Sequence, residues 1–273
     1  MSRISARFQS LKAKGEGALI CFVTAGDPDI DTTRRIVLEI EQAGADIVEI
    51  GIPFSDPIAD GPSIQAASMR SLERGTNVTK VLELVRSIRK DSEIPLVLMT
   101  YFNPILHYGL DRFVKDAKAS GVDGMILSDL TPEEAEEWLV PAESHDLDTV
   151  FLLAPTSTSP RIERVAKLAS GFIYCVSRTG VTGAKAEMAQ GARELVEAVR
   201  AQTDKPTVVG FGISKPEHVR EVCTYADGAV VGSVLVDLIA SKGDTQLMFG
   251  ELRETVSALK LGTRDARQPV SSQ

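Results

Sequence analysis

Cysteine and histidine are scarce in this chain of 273 residues, three of each, and they stand far apart. Cys21, Cys175 and Cys223, with His107, His145 and His218, form no Cys-x-x-Cys or His-x-x-x-His spacing, so the sequence offers neither a zinc site nor a disulfide framework. Two of the cysteines fall inside apolar runs and are expected to be reduced and buried, which fits a cytosolic protein. Long apolar runs are missing as well. None reaches the ~18 residues of a membrane span, and the opening MSRISARFQSLKAKGEGALICFV lacks a small-residue cleavage pattern, so no signal peptide is expected. Positive charge is short: 30 Lys plus Arg stand against 38 Asp plus Glu, a net of −8. With no basic cluster longer than a pair, nucleic acid and membrane surfaces are excluded as partners.

What is present is an ordinary globular composition, 43% hydrophobic and 25% charged, arranged as a regular alternation. A short amphipathic helix with Ile4, Phe8 and Leu11 on one face opens the chain. Apolar runs of strand type then follow at Ala18–Thr24, Ile47–Gly51, Leu96–Tyr101, Gly124–Leu127, Thr149–Ala154, Phe172–Val176, Thr207–Phe211 and Gly228–Val231. Helix-period segments separate them at Thr32–Ala43, Val78–Arg89, Leu110–Ala119, Pro132–Ser144, Arg161–Ala169, Ala192–Ala201 and Pro216–Cys223, and Gln246–Leu259 follows the last. Continuous Val, Ile and Leu runs joined by crossover helices imply a parallel sheet covered on both faces. Eight such units over this length predict an α/β fold, one (β/α)₈ TIM barrel over residues 1–261, with extra helices at Ser63–Arg74 and Gly232–Ala240 and a polar, mobile tail at 262–273. An open doubly wound sheet is the alternative. It would usually carry a Gly-x-Gly-x-x-Gly turn after the first strand, where this chain has Ala25-Gly26-Asp27-Pro28. Thr131 reads as a helix N-cap ahead of Pro132, and Gly44, Gly121 and Gly171 as left-handed helix ends.

One charge stands out against these strands: none of the eight runs contains Lys or Arg, and only Glu49 supplies a charge. In strand alternation Ile47, Glu49 and Gly51 share a face, so a doubly covered sheet buries the carboxyl. Without a cation on neighbouring strands, an ion pair is the weaker explanation, and a raised pKa makes Glu49 a candidate proton donor. The loop after it carries a second carboxylate, Asp60. Both belong to the end of the barrel where such enzymes place their chemistry.

The last three strand ends are rich in small residues: Ser177 to Gly183, Gly210 to Ser214, and Gly232-Ser233 opening a helix. Backbone N–H groups approach an anion closely at such turns, so together they point to a phosphorylated small substrate. Lys185 sits in a Gly-containing loop and is read as solvated, against a Schiff base. Asp27, Asp56 and Asp129 are assigned to capping and turns in preference to metal ligation.

The segments FVTAGDPD (Phe22–Asp29), EIGIPFSDPIADGP (Glu49–Pro62), MTYFNPI (Met99–Ile105), LSDLTPEE (Leu127–Glu134), SRTGVTG (Ser177–Gly183) and GFGIS (Gly210–Ser214) resemble the α subunit of tryptophan synthase over nearly the whole chain. The resemblance implies retro-aldol cleavage of indole-3-glycerol phosphate to indole and glyceraldehyde 3-phosphate. Glu49 matches the general acid/base and Asp60 the acceptor of the indole N–H. Phe22, Tyr174 and Phe211 match the indole pocket with Tyr101 nearby, Gly183, Gly212, Gly232 and Ser233 the phosphate site, and Arg178 and Thr182 a closing loop in which Thr182 meets Asp60. It further implies a cytoplasmic α₂β₂ complex with a β subunit that holds pyridoxal phosphate, no cofactor in this chain, and contact with that partner through Pro53, Asp56 and Pro57. Two rival readings are another phosphate-binding barrel, an isomerase or cyclising synthase, and a noncatalytic activating subunit. The first would be expected to bring Lys to the barrel strands, and the second gives no reason for both Glu49 and Asp60.

Overall fold

A computed structural model describes residues 1–176, 185–210 and 212–264, with backbone alone at 185–189. Among these residues run nine strands: β1 (Ala18–Thr24), β2 (Ile47–Gly51), β3 (Leu96–Thr100), β4 (Gly124–Leu127), β5 (Asp148–Val150), β6 (Leu152–Leu153), β7 (Ile173–Val176), β8 (Thr207–Gly210) and β9 (Gly228–Val231). Their order is β5-β4-β3-β2-β1-β9-β8-β7-β6. All pairs are parallel.

The two ends of that order, β5 and β6, are separated in the chain only by Phe151. Val150 faces Ile126 of β4, whereas Leu152 faces Tyr174 of β7. The Phe151 carbonyl accepts from the Tyr174 N–H at 3.1 Å. The expected fifth strand is thus present but split. Strands tilted and staggered around a barrel meet their two neighbours at different heights, so a short strand pairs with one through its first half and with the other through its second. This handover closes the sheet into the expected α/β TIM barrel.

Twelve helices accompany the strands: α1 (Arg3–Lys14), α2 (Ile30–Gln42), α3 (Pro62–Glu73), α4 (Val78–Ile88), α5 (Phe102–Tyr108), α6 (Leu110–Ser120), α7 (Glu136–Ser144), α8 (Ser159–Leu168), α9 (Lys185–Arg200), α10 (Pro216–Cys223), α11 (Ser233–Lys242) and α12 (Gln246–Leu261). Strand alternation divides the core into two layers. Leu19, Cys21, Val48, Ile50, Leu96 and Leu98 pack outward under the helices. Ile20, Ile47, Val97, Ile126, Val150, Tyr174, Val208 and Val230 fill the lumen, whose lower end is stopped by Ile4, Phe8 and Leu11 of α1. All three cysteines are free and buried, as expected.

Three local expectations change, and one helix appears that the sequence reading did not name. Thr131 does not cap α7: residues 131–134 form a turn in which the Glu134 N–H reaches the Thr131 carbonyl at 3.1 Å, and the helix starts at Glu136. Residues 102–108 are helical, because Pro104 lies in a first turn that needs no N–H from it and Asp129 Oδ1 accepts from the Phe102 N–H at 2.7 Å. Lys185 opens α9, where a loop was expected. Thr263, assigned to the tail, is instead fully buried and its carbonyl accepts from the Gly17 N–H at 3.0 Å. Residues 265–273 lie outside those described.

The lower rim is held by a repeated device. Asp46, Asp123 and Asp227 each precede a strand and give a backbone N–H to the carbonyl of Leu19, Leu96 or Thr207 on the strand before, at 2.7–2.9 Å. Each carboxylate then accepts the N–H of that same residue at 2.8–2.9 Å. Asp46 also holds the buried Lys260 Nζ of α12 at 2.8 Å. Removing one member of a buried pair leaves the other charge uncompensated. Lys260→Ala is therefore expected to lower the free energy of unfolding by about 3 kcal/mol, measured by urea denaturation. Lys167→Ala, which breaks an exposed helix pair with Glu163, is expected to change it by less than about 0.5 kcal/mol.

Candidate active site

On β2, Val48 and Ile50 point to the helices, and Ile47, Glu49 and Gly51 therefore to the lumen. Glu49 is 1% exposed and lies in register between Phe22 of β1 and Val97 of β3. Neither carboxyl oxygen has a hydrogen-bond partner among the described residues. Burial alone raises its pKa from an ordinary 4.5 to about 8, so the group is protonated at neutral pH. Among the described residues the only other carboxylate on a strand is Asp148. It starts β5 one residue earlier than expected, at the opposite end of the barrel.

Asp60 sits in the loop from β2 to α3, immediately before the Gly61-Pro62 start of that helix. Gln65 braces the loop by donating to the Asp60 carbonyl at 2.9 Å. The Tyr101 hydroxyl accepts from the Ala59 N–H at 2.9 Å, which leaves its own proton for the Asp60 carboxylate. Burial pushes the Asp60 pKa up to about 6, partly offset by that hydrogen bond from Tyr101. Tyr101, the residue after β3, stacks at 5.2 Å on Phe54 from the same loop.

Close approach explains two glycines. A Cβ on Gly51 would lie 2.6 Å from the Phe22 ring, and one on Gly210 would lie 2.1 Å from the Tyr174 hydroxyl. Glycine there makes room for the two aromatic side chains to cross the lumen. Tyr174 is held well above its ordinary pKa by burial and then by the charges of Glu49 and Asp60. On the other side of the rim, Gly212 follows β8, and Gly232 precedes α11 with Ser233 as its first residue. The unpaired N–H groups of that first turn are suited to an anion. Gly232 also lies beside Phe22, since a Cβ there would be 3.4 Å from that of Phe22. Arg178, Thr182, Gly183 and Phe211 lie outside the described residues.

Pro53, Asp56 and Pro57 occupy the loop that carries Asp60. Pro53 is buried, Asp56 is exposed and bonded to Ser55 at 2.6 Å, and Pro57 is half-buried. Beside them Ile58 is 87% exposed, an apolar surface residue that the sequence reading passed over. Asp27 closes a turn, as read, with its N–H reaching the Thr24 carbonyl at 3.3 Å, and its carboxylate also takes a bidentate hydrogen bond from Arg70 of α3 at 2.9 and 2.7 Å.

Two more groups were missed. Thr24, two residues beyond Phe22, and Ser128, two beyond Ile126, share the lumen face, and the hydroxyl oxygen of each is buried without a partner. Among the described residues five buried side-chain oxygens lack a partner, and four of them belong to Thr24, Glu49 and Ser128, in the middle or at the C-terminal ends of the strands. Unmet hydrogen-bonding demand is costly, and its concentration there marks the place for a ligand. Phe22, Phe54, Asp60, Tyr101 and Ser128 line a cleft at that end. A larger depression of about 280 Å³ opens at the other end between Phe8, Lys12 and Asp204, on the face that barrels use for stability.

Comparison with known proteins agrees with this geometry. The family model described as tryptophan synthase alpha chain matches residues 8–263. The tryptophan synthase alpha chain of Geotalea uraniireducens is 51% identical over 269 residues, covering 97% of this chain and 98% of its own. That of Geobacter sp. strain M21 is 53% identical over 262 residues, with 96% and 98% covered. Among solved structures, a chain of M. tuberculosis tryptophan synthase in its aminoacrylate-bound form superposes with a TM-score of 0.87 at 36% identity, covering 97% of this chain and all of its own.

The raised pKa of Glu49 carries a stability signature. The unfolded chain loses this proton near pH 4.5 and the folded chain near 8, so the group's contribution is fully present below about 4.5 and is lost as pH rises to about 8. Glu49→Gln removes that titration. Urea unfolding across this range is expected to show the variant gaining on the parent by up to about 1.4 kcal/mol per pH unit, with no further gain above the window. A difference that does not vary with pH would mean that Glu49 titrates normally in the fold.

Proposed function

We propose that Glu49 and Asp60 divide the proton transfer and the charge stabilisation in this chain, which belongs to the tryptophan synthase alpha chain family and so cleaves indole-3-glycerol phosphate to indole for a beta subunit. The observation that carries the assignment is the Glu49 carboxyl, buried in the lumen, without a partner, and still protonated at neutral pH.

In this reading Glu49 donates its proton to indole C3, which breaks aromaticity and leaves a positive charge on the ring nitrogen. The resulting carboxylate removes the proton from the hydroxyl on the adjacent side-chain carbon. The carbon–carbon bond then breaks, its electron pair restores the indole, and the aldehyde of glyceraldehyde 3-phosphate forms. Glu49 ends with the proton count it began with. Asp60, ionised, accepts the ring N–H and stabilises the charge developing there from a position set before the reaction starts.

Phe22, Tyr174 and Phe211, with Tyr101, hold the indole. Gly183, Gly212, Gly232, Ser233 and the N-terminus of α11 hold the phosphate. Arg178 and Thr182 act in closure, Thr182 by meeting Asp60, which excludes water from the cleft. The loop bearing Pro53, Asp56 and Pro57 faces the beta subunit, and its exposed Ile58 supports that role. Because this loop also carries Asp60, partner contact bears directly on the second carboxylate. The complex is proposed as a cytoplasmic α₂β₂ assembly, with pyridoxal phosphate in the beta subunit and none required here.

Indole release from indole-3-glycerol phosphate tests the roles. Glu49→Gln is expected to lower kcat by at least about 10²- to 10⁴-fold while circular dichroism stays unchanged; cleavage near the original rate would sink the assignment. For the parent chain, kcat/KM is expected to fall below about pH 6 as Asp60 protonates and above about 8 as Glu49 ionises. A profile flat through both limits would remove the carboxyls from those roles.

A further inference from the structure

Ser128 is the residue after β4 and continues its alternation with Ile126 towards the lumen. Its N–H continues the ladder by donating to the Thr100 carbonyl at 2.8 Å, which sets the side chain's direction. Its hydroxyl oxygen is buried with no partner among the described residues, yet it lines the cleft shared by Asp60 and Tyr101. Two other hydroxyls in this wall are occupied: that of Thr100 donates to the Ile52 carbonyl at 3.1 Å, and that of Tyr101 accepts from the Ala59 N–H at 2.9 Å.

Resting on the reading of Glu49 and Asp60 above, the orientation of a bound indole follows. Glu49 takes C3, Asp60 takes the ring N–H, and the phosphate sits beyond β8 and β9. The benzo ring is then directed away from the phosphate, towards β3 and β4, where Met99, Tyr101 and Ser128 stand. An unsubstituted benzo ring offers only carbon-bound hydrogens, so it leaves the Ser128 hydroxyl unsatisfied. A hydroxyl or amino group on that edge would supply the missing partner. A methyl of the same size would not, and would keep the serine desolvated.

We propose that Ser128 is a specificity-determining residue that fits this site to indole rings bearing a hydrogen-bonding substituent on the benzo ring, in preference to rings with an apolar substituent of equal size at the same carbon. The test compares kcat/KM for indole-3-glycerol phosphates carrying a hydroxyl or a methyl at each benzo carbon in turn, in the parent chain and in Ser128→Ala. At one ring position the hydroxyl-to-methyl ratio is expected to exceed one in the parent and to fall about tenfold in the variant, the equivalent of one hydrogen bond. Ratios that are the same in both proteins at every position would overturn the proposal.

Calorimetric binding of the matching hydroxyindoles and methylindoles to both proteins separates this outcome from failure of the catalytic reading. If the parent cleaves no substrate, the roles of Glu49 and Asp60 fail. The Ser128 proposal then stands or falls on whether the binding ratio responds to Ser128→Ala.

Discussion

Closure of the parallel sheet at residues 148–153 is the constraint on which the rest of the molecule depends. An open sheet would leave two rows of unpaired backbone groups. Because β5 pairs with β4 and β6 with β7, the two halves of one split strand hand the chain across Phe151, and the other seven strands each have neighbours on both sides. A sealed lumen is dry, and it is this dryness that acts on Glu49. The same carboxyl on the outer face of an open sheet would titrate in water and do no acid chemistry at neutral pH.

The two ends of the barrel treat polar groups in opposite ways. At the lower rim Asp46, Asp123 and Asp227 are tied reciprocally to the preceding strands, and Asp46 is further neutralised by Lys260. At the upper rim Glu49, Thr24 and Ser128 carry buried oxygens that nothing in the described structure satisfies. One end spends its carboxylates on rigidity, and the other keeps them available to a ligand. Stability is lost at the upper end for the sake of function, a trade commonly found at catalytic sites.

The two carboxyls proposed for catalysis differ because their surroundings do. Glu49 has burial and no partner. Asp60, on a loop rim, is less deeply placed and receives the Tyr101 hydroxyl. Between pH 6 and 8 one is protonated and the other ionised, which is the state the proposed mechanism needs from each. Tyr101 links this electrostatics to position, since it both braces the Ala59 backbone and stacks on Phe54 within the same loop.

Much of this was written in the linear chain. Residues of period two and period 3.6 marked the strands and most helices, because burial of an apolar face leaves a local imprint. The lone charge among the strands marked Glu49, and the motif around it named the family. Other features had no local imprint. The split at Phe151 follows from the stagger between β4 and β7, two strands that never adjoin in sequence. Thr131 looked like a cap until the turn at 131–134 took its carbonyl. Ser128 carried no signal of its own, since a hydroxyl is orphaned only by what fails to surround it. The sequence by itself determined which residues turn inward and what chemistry they carry, because alternation and residue type are properties of the strand. Only the tertiary structure decided which inward groups find partners and which are left for a substrate, because satisfaction of a polar atom depends on neighbours brought from distant parts of the chain.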